Sequence, residues 1–365
     1  MKNRKLMIKT ITCHDVYNVG ASLQAYALSK YLTDLGHQVE IIDYKPEYLK
    51  HYELWGVRNP KYNKPILREI YNILKLPGRI KGRMSKRKKS FDAFTKTYLP
   101  VTSRTYHNND EVKQDCPKAD IFIAGSDQIW NTLFQNGKDP AFYMDFAPSN
   151  AIKASYAASF ATDTIADEYK KDVSQRIKNI DFVSVREESA IKILEDLGVD
   201  NATHVMDPVF LLSKEQWNTM SGEKISDEKY LFIYDFDNNE KINDAAVEIA
   251  RKNDWKIYSL FSNNICDKSF FDVGPLEFVN LIKNAQMVLS NSFHAVAFSI
   301  IFEKQFVVYN RHENINSRMR DLLKSLDIVN GEGPIDYNRV NERLSVHINR
   351  SKNYLNSVIL SAGKE

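Results

Sequence analysis

The chain has 365 residues, more than one ordinary core holds, so two domains are expected. Hydrophobic residues make up 43% and charged residues 27%, the profile of a globular chain, and a formal charge of +3 calls for neither nucleic acid nor a membrane surface. Three well-separated cysteines, Cys13, Cys116 and Cys266, argue against a disulfide framework, and none has metal-ligand spacing to another Cys or His.

In chain order, the basic start MKNRKLMIKTITCHD has its apolar run broken by Lys9 and is too short for a signal peptide. No later segment approaches the ~20 apolar residues of a spanning helix, so a cytoplasmic protein is expected. LMIKTITC predicts a strand, HDVYNVG a polar turn and ASLQAYALSKYLTDLG a helix. Ala21, Ala25, Leu28, Leu32 and Leu35 fall on one face of that helix, and Gly36 supplies its stop. The strand VEIIDY follows at once, which makes a parallel crossover unit. Residues 45–100 break the pattern as a helical insertion whose run KLPGRIKGRMSKRKKS is strongly basic. It reads as a solvated face or as a patch for anionic lipid headgroups or an anionic substrate. ADIFIAGSDQ, DFVSVREESAIKILEDLG and ATHVMDPVFLL resume the strand-and-helix alternation. YLFIYDF, a helix to Arg251, WKIYSLF, a helix from Pro275 and the strand MVLS with its following helix continue it. Alternation in both halves predicts an α/β protein of two doubly wound domains with a cleft between them. The expected division is an N-terminal domain of residues 1–205, a C-terminal domain of 206–335 and a helix over 336–365 that returns to the first domain.

Open parallel sheets bind ligands beyond the carboxyl ends of their strands, so the polar residues after each strand are the candidates. After the first strand, HDVYNVGAS holds Asn18, Gly20 and Ser22. Gly20 permits close backbone approach, and the helix N-terminus offers N–H groups to an anion. Neither a dinucleotide fingerprint nor a P-loop is present. Cys13 and His14 are adjacent on a strand and so point to opposite faces, which disfavours a catalytic pair. After IFIA, residues 125–131 read GSDQIWN. Gly125, Ser126, Asp127, Gln128, Trp130 and Asn131 offer hydroxyl-binding groups and a ring that either stacks on a sugar or fills the core. In FVSVREESA, Arg186 sits where a strand gives way to a helix, and a cation there opposes the helix dipole. Its partner is either a neighbouring glutamate or a bound phosphate or carboxylate. After MVLS, Ser290 or Ser292 caps a helix whose buried face is Phe293, Val296, Ala297, Ile300 and Ile301. His294 stands on its first turn, where the dipole favours a neutral ring able to exchange protons. Arg311 and Arg318 follow, each either a further anion ligand or a surface residue. A single histidine on an apolar helix is equally a satisfied core residue.

Taken together, NVGASLQAYALSKYL, IAGSDQIWN, SVREESA, MDPVFLL, the stretch EFVNLIKNAQMVLSNSFHAVAFSIIFEKQFVVYN and NSRMRDLL resemble the polysaccharide pyruvyl transferase family, in the family's order. The resemblance implies a GT-B-like fold of two Rossmann-like domains facing a cleft. It implies transfer of a pyruvyl group from phosphoenolpyruvate, as co-substrate, to two hydroxyls of a saccharide, forming a cyclic ketal during cell-surface or exopolysaccharide synthesis. No cofactor, metal or nucleic acid is implied. The acceptor would be lipid-linked or nucleotide-linked, and peripheral contact with the inner face of the membrane is left open. Carried over by position, His294 matches the acid/base histidine and Arg186 an anion-binding arginine. Arg318, Arg311, Ser290, Asn291, Ser292, Gly20 and Ser22 would lie on the donor side. Gly125, Ser126, Asp127, Gln128, Trp130, Asn131 and Asn18 would be acceptor-side or structural. Many members carry an arginine two residues before the histidine, where this chain has Ser292, so Arg311 or Arg318 must replace it or the donor differs. A nucleotide-sugar glycosyltransferase and a non-catalytic saccharide-binding relative are the competing readings.

Overall fold

The computed structural model describes residues 4–50, 65–312, 316–330 and 333–363. Residues 51–64 of the expected insertion and 313–315 of the NRHENINS stretch lie outside the described residues, as do 1–3, 331–332 and 364–365.

β1 (Met7–Ile11) is buried from Ile8 onward because parallel strands are covered on both faces. α1 (Val19–Asp34) begins where the Asn18 side chain accepts from the Gly20 and Ala21 N–H groups, and it ends before Gly36 at φ +94°. Leu35, expected on the buried helical face, is the C-cap and is exposed, because the helix stops one residue earlier. β2 (Gln38–Tyr44) follows. The described part of the insertion forms α2 (Pro65–Arg83) and α3 (Lys86–Tyr98). Then come β3 (Val101–Tyr106), α4 (Asn109–Gln114), β4 (Ile121–Ala124) and β5 (Ile152–Ser155). These strands form one parallel sheet in the order β3-β2-β1-β4-β5, with Ile8 paired to both Val39 and Ile121. α5 (Asp167–Ile177), β6 (Ser184–Val185), α6 (Glu188–Asp196) and β7 (Thr203–His204) extend this half.

The second half opens with α7 (Lys214–Met220), whose Ser213 and Gln216 form a reciprocal capping box. β8 (Tyr230–Tyr234), α8 (Glu240–Asn253), β9 (Lys256–Ser259), β10 (Lys268–Ser269), α9 (Pro275–Asn284), β11 (Met287–Ser290), α10 (Phe293–Ile301), β12 (Gln305–Val308) and α11 (Ser317–Ser325) follow. Its sheet runs β10-β9-β8-β11-β12, again parallel throughout. In both sheets the first strand of the domain lies beside the fourth, so each has a topological switch point at those carboxyl ends.

α12 (Tyr337–Ala362) returns to the first sheet. Leu355 and Val358 pack with Leu6, Ile8 and Ile121, and the Tyr354 hydroxyl donates to the Ser155 carbonyl at 2.8 Å. One apolar cluster joins the halves: Val19 and Leu23 of α1 and Phe91 and Phe94 of α3 share it with Phe278 of α9 and Phe298 of α10. Trp217 sits between them, edge-on to Tyr26 at 5.8 Å and to Phe298 at 4.9 Å.

Candidate active site

The two switch points face each other. From the first sheet come the turn before α1 and the GSDQ turn after β4; from the second comes the SNSFH turn between β11 and α10. Gly125 is required where it stands: its φ is +127°, and a Cβ there would fall 2.1 Å from the Tyr156 carbonyl oxygen. Ser126 is locked by its N–H to Gln24 Oε1 at 3.0 Å and its hydroxyl to the Ala157 carbonyl at 2.8 Å. Both residues hold the turn that projects Asp127.

Asp127 Oδ1 lies 3.3 Å from Arg186 Nη2 and 3.8 Å from Arg318 Nη1. Arg186 Nη1 donates to Asp207 Oδ2 at 2.6 Å, and the same oxygen lies 3.6 Å from His294 Nε2. The other Asp207 oxygen accepts from the Val209 N–H at 3.1 Å, so the residue caps a short 3-10 turn while bridging arginine and histidine. Phe293 lies under both cations, 4.6 Å from Arg186 Cζ and 5.8 Å from Arg318 Cζ. The cluster is nearly closed to solvent: Asp207 is 1%, Arg186 5%, His294 6% and Arg318 8% exposed. Among the described residues, His294 Nε2, Arg186 Nε and Arg318 Nε have no hydrogen-bond partner.

Electrostatics follow from this packing. Burial alone would raise the Asp207 carboxyl, but His294 and Arg186 outweigh it and hold the group well below the usual carboxylate range. Asp127 is likewise lowered against its own burial, chiefly by Arg186, then by His294 and Arg318. Burial and the neighbouring Arg186 push the Arg318 guanidinium down to about 10. Such a cation gains from any added negative charge. Arg186 is raised, because Asp207 and Asp127 overcome its burial.

Several expected roles change. Arg186 pairs with Asp207 and Asp127, not with its neighbouring glutamates. Glu187 is fully buried and accepts from Ser159 Oγ and the Ala161 N–H, each at 2.9 Å, and burial raises its carboxyl. Gly20 does allow close approach, but by the His294 ring: a Cβ there would fall 2.0 Å from Nδ1. Asn18 caps α1, so the N–H groups of Gly20 and Ala21 are already used (2.9 and 3.3 Å), and Ser22 is buried behind them. Trp130 belongs to the core: it is fully buried, stacked on Tyr143 at 5.6 Å, with its indole N–H given to the Phe142 carbonyl. Turned so that its oxygen faces Arg318, the Gln128 amide accepts from Nη2 at 3.0 Å and Nη1 at 3.2 Å; in the other orientation that oxygen accepts from Asn131 Nδ2 at 2.9 Å. Ser290 donates to the Tyr234 carbonyl and accepts from the Ser292 N–H, and Ser292, at the N-cap of α10, makes no side-chain cap bond. Asn291 and Arg311 join a neighbouring network instead. Asn291 bonds Asp235, and Arg311 meets Asp237 at 3.4 Å and stacks 4.8 Å over Phe236. Arg318 is therefore the second arginine of the cluster. Asp207 is the member that sequence reasoning missed.

The sequence profile of the family described as polysaccharide pyruvyl transferase matches residues 18–313. The chain belongs to that family. Arg186, Asp207 and His294 fall inside the matched pyruvyl transferase span, and Arg318 lies just beyond it. Two solved structures share the fold of this chain. One is a putative UDP-N-acetylglucosamine 2-epimerase from Listeria monocytogenes, with TM-score 0.51 and 9% identity, covering 98% of this chain and 91% of its own. The other is a UDP-N-acetylglucosamine 2-epimerase with TM-score 0.50 and 11% identity, covering 100% of this chain and 97% of its own. The architecture is thus GT-B-like. No curated protein matches the chain. Among the described residues, no group of three or more His, Cys, Asp or Glu could hold a metal ion, and no helix is long and apolar enough to cross a membrane.

Proposed function

We propose that this chain transfers the pyruvyl group of phosphoenolpyruvate to two hydroxyls of a saccharide, making a cyclic ketal and releasing phosphate. The observation that carries the reading is the convergence of Arg186, Arg318 and His294 beside the α10 N-terminus, with one nitrogen of each lacking a hydrogen-bond partner among the described residues. A donor with a phosphate and a carboxylate suits two guanidiniums and a helix N-terminus lacking a side-chain cap. The Asp127 contacts, at 3.3 and 3.8 Å, are the ones the donor displaces, while the 2.6 Å bond to Asp207 keeps Arg186 in place.

His294 supplies the proton chemistry. A proton delivered to the methylene carbon of the donor leaves positive charge on the adjacent carbon, which the first sugar hydroxyl attacks as it loses its proton. Phosphate then departs with its bridging oxygen, and the second hydroxyl closes the ring and releases its own proton. Asp207, 3.6 Å from Nε2, stabilises the imidazolium whenever the ring carries the proton. The acceptor is a saccharide on a lipid or nucleotide carrier, approaching from the Gln128 side. The test is thermal shift with phosphoenolpyruvate, followed by phosphate release on adding saccharide acceptors. Stabilisation by a uridine diphosphate sugar, with none by phosphoenolpyruvate, would move the chain to the glycosyltransferase reading instead.

A further inference from the structure

Among the described residues, the insertion that interrupts the first domain takes no part in the cluster, yet its surface is unusual. On α2, Ile70, Ile73, Leu74 and Ile80 are exposed, with Met84 just beyond the helix; Ile73 is 61%, Leu74 73% and Met84 71% exposed. Their spacing puts them on one stripe of the helix. The opposite side is polar: Asn72 is fully buried and accepts from Arg79 Nη1 at 2.7 Å, Arg79 lies over the Tyr71 ring, and Lys75 beside them is exposed. The amphipathic helix is therefore mounted with its apolar face outward. Between Glu69 and Asp92 the sequence holds eight Lys and Arg and no acidic residue. Lys75, Lys86 and Lys89 are exposed within that run.

We infer that α2 and the start of α3 form a docking surface for an anionic lipid bilayer, with the apolar stripe entering the headgroup region and the cations meeting lipid phosphates. Charge decides among occupants. A second copy packed through the same face would bring two acid-free cationic runs together. A nucleic acid would use the cations and leave the apolar stripe wet. A bilayer with anionic headgroups satisfies both. The surface is also tied to the cleft. Arg87 Nη2 donates to the Tyr17 carbonyl at 3.0 Å, and the Tyr17 hydroxyl donates to Asp92 at 2.9 Å. Tyr17 adjoins Asn18, which caps the helix carrying Gly20 beneath His294. Docking would set the cleft rim against the membrane, whatever reaction the cleft performs.

Sedimentation of the full chain with vesicles tests this, using phosphatidylcholine alone and phosphatidylcholine with phosphatidylglycerol. Circular dichroism and melting temperature serve as fold controls for each variant. The wild type is expected to bind only the anionic vesicles and to release in salt. Lys86→Gln and Lys89→Gln should each weaken binding on the order of five-fold, and Ile73→Asp with Leu74→Asp should abolish it. No binding to either vesicle overturns the proposal. So does binding that survives Ile73→Asp and Leu74→Asp unchanged, which marks a plain polyanion-binding surface. A wild-type dimer in the ultracentrifuge that the same pair dissociates assigns the face to a second copy, and also overturns it.

Discussion

His294 is held by two residues from remote parts of the chain: Gly20, whose missing side chain makes room for the ring, and Asp207, whose carboxylate faces Nε2. Gly20→Ala should displace the buried imidazole at some cost in stability and, in protein that circular dichroism shows to be folded, lower turnover on the order of a hundred-fold. A Gly20→Ala protein with wild-type turnover would show that the ring's position does not matter. Asp207→Asn should destabilise the protein by about 3–5 kcal/mol at neutral pH, since it breaks a buried pair and leaves Arg186 under-compensated. The Asp207 and Asp127 carboxyls are lowered from 3.8 in the folded state, so their stabilisation is complete above that pH and is lost as pH falls below it. The difference between wild type and Asp207→Asn in urea unfolding should therefore narrow toward about pH 3. A constant gap would rule out a charge-based role. At this scale Arg186 and His294 were legible because each is a charged or titratable group where a strand hands over to a helix. Asp207 was not, because an aspartate before Pro208 already has a sufficient reason as a cap. Gly20 was read for close approach, but which group approaches depends on a tertiary contact with a helix far along the chain.

The elements were legible where hydrophobic period and punctuation agree, as in α1 with Asn18 before it and Gly36 after it. They were less so where burial is complete. All nine residues of α10 are buried, so its periodicity could reveal one apolar face but not that the opposite side, with His294 and Ser299, is covered too. The GSDQIWN turn shows the same limit. Its polar groups cluster after β4 as a binding loop would, yet Ser126 and Trp130 are consumed in holding the turn. Trp130→Ala should accordingly cost about 3–5 kcal/mol of stability in denaturant unfolding. An unchanged stability with weakened saccharide binding would return Trp130 to the acceptor side.

At the scale of the whole molecule, the halves share one apolar cluster and are further joined where Asp321 of α11 accepts from the Ser189 N–H at 2.8 Å. An interface of this kind couples the domains, so calorimetry should show one unfolding transition. Two separated transitions would contradict that coupling. The alternation of strands and helices made a pair of doubly wound domains legible. No linker marks where they meet, because Met206, Val209 and Phe210 are themselves part of the shared core. The convergence of both switch points on one cluster is a property of the assembled pair and of neither half. Running the reaction in deuterium oxide with phosphoenolpyruvate and a saccharide acceptor tests the central claim most directly. The account predicts a pyruvate ketal whose methyl group carries one deuterium, with stoichiometric phosphate, and no product from His294→Ala despite retained donor binding. Ketal formation at the wild-type rate by His294→Ala, or no ketal from the wild type with any acceptor that the cleft binds, would contradict it.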